Sequence, residues 1–270
     1  MIDFSLSPLT EGDLPLLAHL QPADWSDITA MHRFYLSSQF AHPYKVIVGG
    51  NIAGIGSALI LSGTAWLAHI IVAEEFRNRG IGAFISASLR DIALEKFNCK
   101  TVSLIASDMG LPVYKKQGFV VQGEYNVYTT SAGQPHFPPS EHVIPADEEH
   151  LSGILSLDRM ISGEDRQAVI RQHLDGAYVY EESGRLTGAY LTNLGEGLII
   201  ANDKTSGIEL LKRKVSECDR LTLPAENTDA GCFLREAGFT KLRSVTRMFY
   251  GDAFQWEPRS LFSRLGGYLG

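Results

Sequence analysis

The chain has few cysteines, and they show no pattern that suits a structural role. Its 270 residues contain three, Cys99, Cys218 and Cys232, an odd number without metal-ligand spacing. Small secreted domains rely on paired cysteines, and zinc sites need closely spaced ones. We therefore expect no disulfide framework, no metal and a reducing, cytoplasmic setting.

Positive charge is also scarce. Lys and Arg number 24 against 31 Asp and Glu, which gives a net charge of −7 and a pI near 5.6. Nucleic acids and anionic membranes bind to basic faces, so neither is an expected partner. Residues Met1 to Ser5 lack the basic and apolar segments of a signal peptide, which agrees with a cytoplasmic location. A homodimer is left open.

One long segment lacks charged residues altogether. From Val46 to Ala73 there is no Asp, Glu, Lys or Arg, and a run of that length can span a membrane. Two turn signals interrupt it, Gly49-Gly50-Asn51 and Ser62-Gly63-Thr64, and the pieces between them have the length of strands. We therefore expect three buried strands of one sheet, at Lys45 to Val48, Ile52 to Leu61 and Trp66 to Val72.

The residues that follow this segment are rich in arginine and glycine. Val72 leads into Ala73-Glu74-Glu75-Phe76-Arg77-Asn78-Arg79-Gly80-Ile81-Gly82-Ala83, which reads as a strand, a turn and the start of a helix. The first amides of a helix have no intrahelical partner, and the helix dipole adds partial positive charge there. Glycines at 80 and 82 would let an anion approach those amides. With the charges of Arg77 and Arg79, the run predicts a phosphate-binding turn.

The spacing separates this turn from other phosphate loops. It has neither the G-x-x-x-x-G-K-[S/T] of a P-loop nor the three glycines of a dinucleotide fingerprint. It fits R-x-x-G-x-G after a strand ending in valine, which resembles the signature of the GNAT superfamily of N-acetyltransferases. The resemblance implies that the turn binds the pyrophosphate of acetyl-coenzyme A. On these residues alone an ordinary strand-to-helix turn is an alternative, because Gly54-Ile55-Gly56 shows the same glycine spacing.

A second segment, Leu104 to Phe119, reads as a strand, a short loop, a helix and a glycine stop. With Tyr114, three residues and then Gly118-Phe119, it is similar to the other half of the GNAT cofactor site. The resemblance implies that the strands of Val72 and Ala106 diverge around the pantetheine arm. It also implies that the N–H of Val72 stabilises the oxyanion and that Tyr114 protonates the leaving thiolate; the alternative for Tyr114 is an ordinary core tyrosine. The implied cofactor-binding residues are Ile70, Val72, Arg77, Asn78, Arg79, Gly80, Ile81, Gly82, Ala83, Ser107 and Tyr114.

The group that takes the proton from the attacking amine is not apparent. Family members with a base on this strand place it nine or eleven positions before the signature arginine, which here gives Ala68 and Trp66. His69 should face away from both, because side chains alternate along a strand. The other candidates are Glu124, His32 and a chain of water molecules without a dedicated base.

Aromatic residues suggest an acceptor pocket. Trp25, Phe34, Tyr35 and Trp66 could form its walls, with Glu124 as a further member, although aromatic residues at helical spacing are often core. The resemblance then implies an acyltransferase that moves an acetyl group from acetyl-CoA to a primary amine of a small molecule or peptide by direct attack. The alternatives are a non-catalytic CoA-binding sensor or assembly module, and an acyl donor other than acetyl.

The order of helices and strands then repeats. After a proline-rich linker at 132–140 the pattern begins again, and Gln117-Gly118-Phe119 is echoed by Ala237-Gly238-Phe239. This resembles a bacterial GNAT subgroup in which an active domain precedes a degenerate one. It implies an α/β (α+β) fold with two tandem domains, 1–131 and 141–270, each a mixed, mostly antiparallel sheet flanked by helices.

The second copy has lost the residues of the predicted site. Lys204 to Glu209 stands for the phosphate turn with one residue fewer, so that Glu209 falls where Gly82 sits, and Leu234 replaces Tyr114. A glutamate at that place would cover the amides and repel a phosphate. We expect no acetyl-CoA in residues 141–270, and a role in shaping the acceptor pocket or in assembly.

Overall fold

The computed structural model describes residues 4–23, 25, 27–131 and 133–270. They divide into two compact units. The first comprises Met1–Val120, Met248–Ala253 and Leu269, and the second comprises Val121–Arg247, Phe254–Tyr268 and Gly270. The domain boundaries 1–131 and 141–270 and the linker at 132–140 stay a prediction, and residues 1–3, 24, 26 and 132 of these ranges lie outside the described residues.

The first unit combines long strands with short helices. Its strands are β1 (Leu6–Pro8), β2 (Ala41–Val48), β3 (Asn51–Ile60), β4 (Thr64–Val72) and β5 (Thr101–Ala106). Its helices are a 3-10 helix at Glu11–Leu20, α1 (Ile28–Ser37), a 3-10 turn at Glu74–Phe76, α2 (Ile81–Asp91) with a π-helical extension at Ile92–Lys96, and α3 (Leu111–Lys116). Helix α1 begins after Asp27, because the Asp27 carboxylate accepts hydrogen bonds from the amides of Thr29 and Ala30.

The sheet of the first unit opens at one end. Its order is β1-β2-β3-β4-β5, and the end of β12 (Thr240–Gly251) lies beside β5, with Met248–Ala253 belonging to this unit. Strands β4 and β5 are parallel, and their register runs from Thr64 with Thr101 to Leu67 with Leu104. Beyond Leu67, β4 continues to Val72, and no strand among the described residues pairs with it on that side. The two strands therefore leave a gap next to the end of β4.

The charge-free segment forms the strands that its turn signals predict. It supplies the end of β2, all of β3 and β4, and most positions of β3 and β4 are buried. Within the part of the chain that the structure describes, no helix is long and apolar enough to cross a membrane.

Helix α2 covers one face of this sheet, and two glycines of β3 make room for it. A Cβ on Gly54 would lie 2.9 Å from Ile85 Cδ1, and one on Gly56 would lie 2.6 Å from Ile85 Cγ2. The glycine pair of Gly54-Ile55-Gly56 thus serves packing. On the other face, Ile55 and Ile71 pack with Ile28 at the start of α1.

The second unit repeats the same succession of elements. Its strands are β6 (Val120–Thr129), β7 (Val143–Pro145), β8 (Tyr178–Glu182), β9 (Arg185–Leu191), β10 (Leu198–Ala201), β11 (Arg220–Pro224), β12 up to Arg247, and β13 (Leu261–Ser263). The first residue of β6, Val120, belongs to the first unit. The longer helices of the second unit are α4 (Leu151–Ser162), α6 (Lys204–Val215) and α7 (Thr228–Glu236), with a short α5 (Gln167–Ile170). The strands are ordered β13-β10-β9-β8-β7 and β12-β6-β11. The predicted fold, two mixed and mostly antiparallel α/β domains in tandem, is confirmed.

Candidate active site

The predicted phosphate turn joins β4 to α2. Two residues of the turn have left-handed backbone, Asn78 with φ 61° and Gly80 with φ 85°. Glycine adopts this conformation freely, and asparagine adopts it more readily than most other residues. Gly80 occupies the N-cap of α2, so the chain reverses sharply there and the helix starts at Ile81.

The start of α2 presents unbonded amides. No side chain caps this helix, and the amides of Ile81, Gly82 and Ala83 donate to no acceptor among residues 4–23, 25, 27–131 and 133–270. A Cβ on Gly82 would meet only Val72 Cγ2, at 3.5 Å, an ordinary contact. The fold itself would therefore accept a side chain at Gly82, so the open space beside the amides is available to a ligand.

Two arginines flank these amides. The Arg77 Nε donates to the carbonyl oxygen of Val72 at 3.2 Å, and the Arg79 guanidinium lies 5.5 Å from the centre of the Phe76 ring. Both side chains are exposed, and neither forms an ion pair with a described carboxylate. The helix dipole and these two charges together favour an anion at the turn.

The N–H of Val72 is directed into the gap between β4 and β5. The next amide, that of Ala73, donates to Ala53 O of β3 at 3.0 Å. Because successive amides of a regular strand point to opposite sides, the N–H of Val72 points away from β3 and toward the unpaired edge. Ile70 adjoins the irregular pairing at His69, and its contact with a cofactor stays a prediction. The predicted oxyanion donor is thus available, although its role stays a prediction.

Tyr114 lies on α3, the short helix that follows β5. Its half-buried ring packs edge-on against Phe119, with centroids 5.9 Å apart. A Cβ on Gly110 would lie 2.7 Å from Tyr114 Cε2, so glycine at 110 gives the ring its place. Burial raises the pKa of the Tyr114 phenol to about 12, which keeps it protonated at neutral pH. Ser107, at the other end of this loop, is exposed.

Gln117, the C-cap of α3, binds α2, a role that the sequence did not indicate. Its Nε2 donates to Ala83 O at 2.8 Å, and its Oε1 accepts from Ser86 Oγ at 3.0 Å. Its backbone carbonyl accepts from Arg90 Nη1 at 3.1 Å. Thirty-one residues separate Ser86 from Gln117, so no local spacing rule indicated this contact.

The expectation for His69 is wrong. Ile55 and Ser57 of β3 pair with Ile71 and Ala68 of β4, so β4 contains an additional residue at this point, a β-bulge. His69 lies in the bulge with φ 50°, and the alternation of side chains fails there. Its ring turns toward α1, where the Tyr35 hydroxyl and His69 Nδ1 are 2.9 Å apart.

Two of the predicted pocket residues meet around His69. The ring of Trp25, which is 43% exposed, lies 5.7 Å from that of His69, and Tyr35 is buried beside it. Trp66 is fully buried on β4. Glu124 is an exposed residue of β6 in the second unit, and its place in the pocket stays a prediction.

The histidines of this cluster are poor bases. Burial, and after it the charge of His32, lowers the pKa of His69 to about 3. Burial also lowers the pKa of His32, whose Nδ1 lies 2.7 Å from Ile28 O. Both rings are therefore neutral at neutral pH. Phe34 packs against Tyr35 at 6.1 Å between ring centres.

Equivalent positions in the two units can be identified from the strand glycine that packs against α2 in the first unit and against α6 in the second. In the first unit a β3 glycine lies against the first turns of α2, and in the second unit a β9 glycine lies against the first turns of α6. The matched positions are Gly54 with Gly188, Ile81 with Ser206, Ile85 with Leu210 and, between them, Gly82 with Gly207. The predicted match of Glu209 with Gly82 is wrong, because α6 starts sooner after its strand than α2 does.

In the second unit, the chain's own residues fill the space that corresponds to the predicted phosphate and pantetheine sites. Asp203 caps α6 by accepting from the amide of Ser206 at 2.9 Å. A Cβ on Gly207 would lie 2.2 Å from Cζ of Phe262, so that ring occupies the space beside the helix. Phe262 belongs to β13, which is hydrogen-bonded to the free edge of β10. Leu234, predicted to replace Tyr114, is fully buried.

Comparisons with known proteins agree with this architecture. The family described as "Acetyltransferase (GNAT) family" matches residues 14–119, and "Acetyltransferase (GNAT) domain" matches residues 154–263. The chain is 24% identical over 241 residues to the uncharacterized N-acetyltransferase YitH of Bacillus subtilis (strain 168), covering 84% of each protein.

Solved structures share the fold. A candidate acetyltransferase of Pyrococcus horikoshii superposes with a TM-score of 0.84 at 18% identity, covering 100% of this chain and 97% of that one. A GCN5-related N-acetyltransferase of Sphaerobacter thermophilus gives 0.64 at 16% identity, covering 92% and 95%. The two family matches, at residues 14–119 and 154–263, show that the chain belongs to the GNAT acetyltransferase family and carries two GNAT domains in tandem.

Proposed function

We propose that the first unit transfers an acetyl group from acetyl-CoA to a primary amine of a small molecule or peptide by direct attack. The observation that carries this proposal is the set of unbonded amides at Ile81, Gly82 and Ala83, placed between two exposed arginines beside the gap that ends β4. These residues fit a pyrophosphate, because backbone amides and a helix N-terminus bind phosphate groups.

Acetyl-CoA supplies an activated acyl carbon when it is bound. The amides of α2 would hold its pyrophosphate, with Arg77 and Arg79 balancing the charge. The N–H of Val72 donates to the carbonyl oxygen as that oxygen becomes negative, which lowers the barrier to attack. Tyr114 donates its proton to the departing sulfur, and the raised pKa of its buried phenol ensures that the proton is present.

The acceptor amine attacks in its neutral form and passes its proton to water. The neighbouring His69 and His32 support this, because their lowered pKa values make them unfit to deprotonate an ammonium group. An amine that is partly neutral at the working pH needs no dedicated base. We propose further that the second unit binds no acyl-CoA, since Phe262 fills the corresponding space.

Two measurements test the proposed function. Acetyl-CoA should raise the thermal unfolding temperature of the full chain, by mass action on the folded state, and an unchanged temperature would remove the cofactor site. A panel of small amines, polyamines, amino acids and aminoglycosides, followed by thiol release, should then give turnover with at least one member. Protection without turnover of any amine would instead indicate a CoA-binding sensor.

A further inference from the structure

Gln117 joins the two halves of the donor site. Its side chain bridges Ala83 O and Ser86 Oγ in the first two turns of α2, and its own carbonyl accepts from Arg90. All three hydrogen bonds join one residue, the C-cap of α3, to one helix. Ala83 is also one of the three residues whose amides face the phosphate position. Gln117 therefore contacts the phosphate turn directly.

The helix that carries Tyr114 needs such a contact. Helix α3 has only six residues, Leu111–Lys116, and isolated helices of that length are unstable in water. Gln117 follows it immediately, three residues after Tyr114, which corresponds to about one helical turn. Its contacts to α2 are hence well placed to fix the position of the phenol.

The hydrogen-bonding partners allow one orientation of the Gln117 carboxamide. Ser86 is fully buried, and its hydroxyl lies within hydrogen-bond distance of Gln117 Oε1 and of the carbonyl oxygens of Gly82 and Ala83. Ala83 O can only accept, so it fixes the NH₂ of Gln117 on its side. The carboxamide is therefore held with its NH₂ toward Ala83 and its oxygen toward Ser86. On the far side, the guanidinium that donates to Gln117 O is itself held, because Arg90 lies 4.9 Å from the centre of the Tyr250 ring.

We propose that Gln117 is a positioning residue that sets the distance between the phosphate turn and the Tyr114 hydroxyl. This inference rests on the proposed function, because the two ends of one acyl-CoA molecule must reach both places. A displacement of about 1 Å at a reacting group can reduce a rate about 100-fold. Gln117 is not among the residues proposed to bind the ligand, and it acts through Tyr114.

The thiol of bound CoA tests this without an acceptor amine. A phenol that donates to the sulfur stabilises the thiolate and so lowers its pKa. The thiolate absorbance of CoA bound to the full chain is titrated for the wild type and for Tyr114→Phe, Gln117→Met and the double variant. We expect Tyr114→Phe and Gln117→Met each to raise the thiol pKa, by about one unit, and the double variant to match Tyr114→Phe.

Three controls keep the result interpretable. Ser86→Ala removes one bond of the bridge and should give a smaller rise than Gln117→Met. Gln172→Met removes a glutamine that bonds Ala168 O in the second unit and should change nothing. Calorimetry should show CoA affinity kept within about threefold in every variant, because the amides of α2 are untouched.

The outcomes separate this proposal from the one before it. If wild-type chain fails to bind CoA, the proposed function is wrong. If CoA binds and Gln117→Met leaves the thiol pKa at the wild-type value, or if its effect adds to that of Tyr114→Phe, the positioning role is wrong while the cofactor site stands. A rise that is absent in the Tyr114→Phe background supports the role.

Discussion

The two units share one fold but differ at one corner, which is the start of α2 in the first unit and the start of α6 in the second. The corner is open in the first unit and filled by the chain itself in the second. In the first, Gly82 opens onto free amides, and a Cβ there would meet only Val72 Cγ2, at 3.5 Å. In the second, Gly207 lies under the ring of Phe262, where a Cβ would be only 2.2 Å from Cζ, and Asp203 satisfies the helix end. Glycine thus borders an electropositive space without protein atoms in the first unit and a space filled by a packed side chain in the second.

The difference shows that a glycine motif alone does not identify a phosphate site. What distinguishes the two corners is whether the chain itself supplies the atoms that fill the space and accept the amide hydrogens. In the second unit β13 lies along β10, and Arg264 N donates to Thr222 O of β11 at 2.9 Å. The terminal segment therefore fills the gap that is open in the first unit.

The largest effect is expected from removing the Phe262 ring, which fills the corner of the second unit. Phe262→Ala should lower the free energy of unfolding by about 4 kcal/mol, because deleting a buried phenyl group leaves a cavity. Urea unfolding measures this, with Leu242→Ala, 58% exposed in the same unit, as a control that should cost under about 0.5 kcal/mol. Calorimetry should still find one CoA per chain; a second equivalent would mean that Phe262 alone excludes it.

The next largest effect is expected from placing a side chain over the amides at the start of α2. Gly82→Glu should weaken acetyl-CoA binding by about 100-fold or more, because the side chain covers the amides and its charge opposes the phosphates. Loss of thermal protection measures it. Gly12→Glu introduces the same charge where a Cβ meets only Thr10 Oγ1 at 3.9 Å, and should keep full protection. Equal protection in both variants would contradict the phosphate assignment.

Tyr114→Phe tests the proposed chemistry of the first unit separately from its binding of acetyl-CoA. Turnover should fall about 10- to 100-fold, because the leaving thiolate loses its proton donor, while the dissociation constant of acetyl-CoA changes little. Tyr44→Phe, on β2, is the matched control and should retain turnover. A Tyr114→Phe rate equal to the wild-type rate would mean that another group protonates the sulfur.

The smallest effect concerns pH and the bulge of the first unit. The folded pKa of His69, about 3, lies below its ordinary value of 6.5. Between these values the unfolded chain binds a proton that the folded chain does not, so stability that is present above pH 6.5 is lost as pH falls toward 3. At pH 5.5 the loss from His69 is about 1.4 kcal/mol.

Urea unfolding at pH 7.5 and 5.5 measures that loss. His69→Asn should reduce the difference by about 1.4 kcal/mol, and asparagine tolerates the φ of 50° at this position. If His69→Asn shows the full wild-type difference, the acid sensitivity lies elsewhere.

Local motifs carry the whole prediction of the donor site, whose binding role stays a prediction. The turn at Arg77 to Gly82 and the run from Tyr114 to Phe119 each depend on a few adjacent residues, so their spacing carries the information. The direction of His69 was not predictable by the rule of alternation, because that rule ends at a bulge. Gly56 opposite the bulge was the available signal, since glycine inside a strand often marks one.

Long-range contacts explain the remaining errors. The match of Glu209 with Gly82 assumed similar loop lengths, whereas the β10–α6 connection is much shorter than the β4–α2 connection. Strand β13 has three residues, too few for a pattern, and its place beside β10 depends on a partner about sixty residues earlier. The Gln117 bridge likewise joins positions that only the folded chain brings together.

The last strand of the first unit comes late in the chain, and this affects synthesis. Met248–Ala253 belongs to that unit and lies beside β5, yet β5 ends at Ala106. At ordinary rates of translation the intervening residues take on the order of ten seconds to make. During that time the edge of β5 lacks its neighbour and is a template for pairing with another nascent chain. The first unit of a nascent chain therefore cannot complete its sheet until Met248–Ala253 has been made.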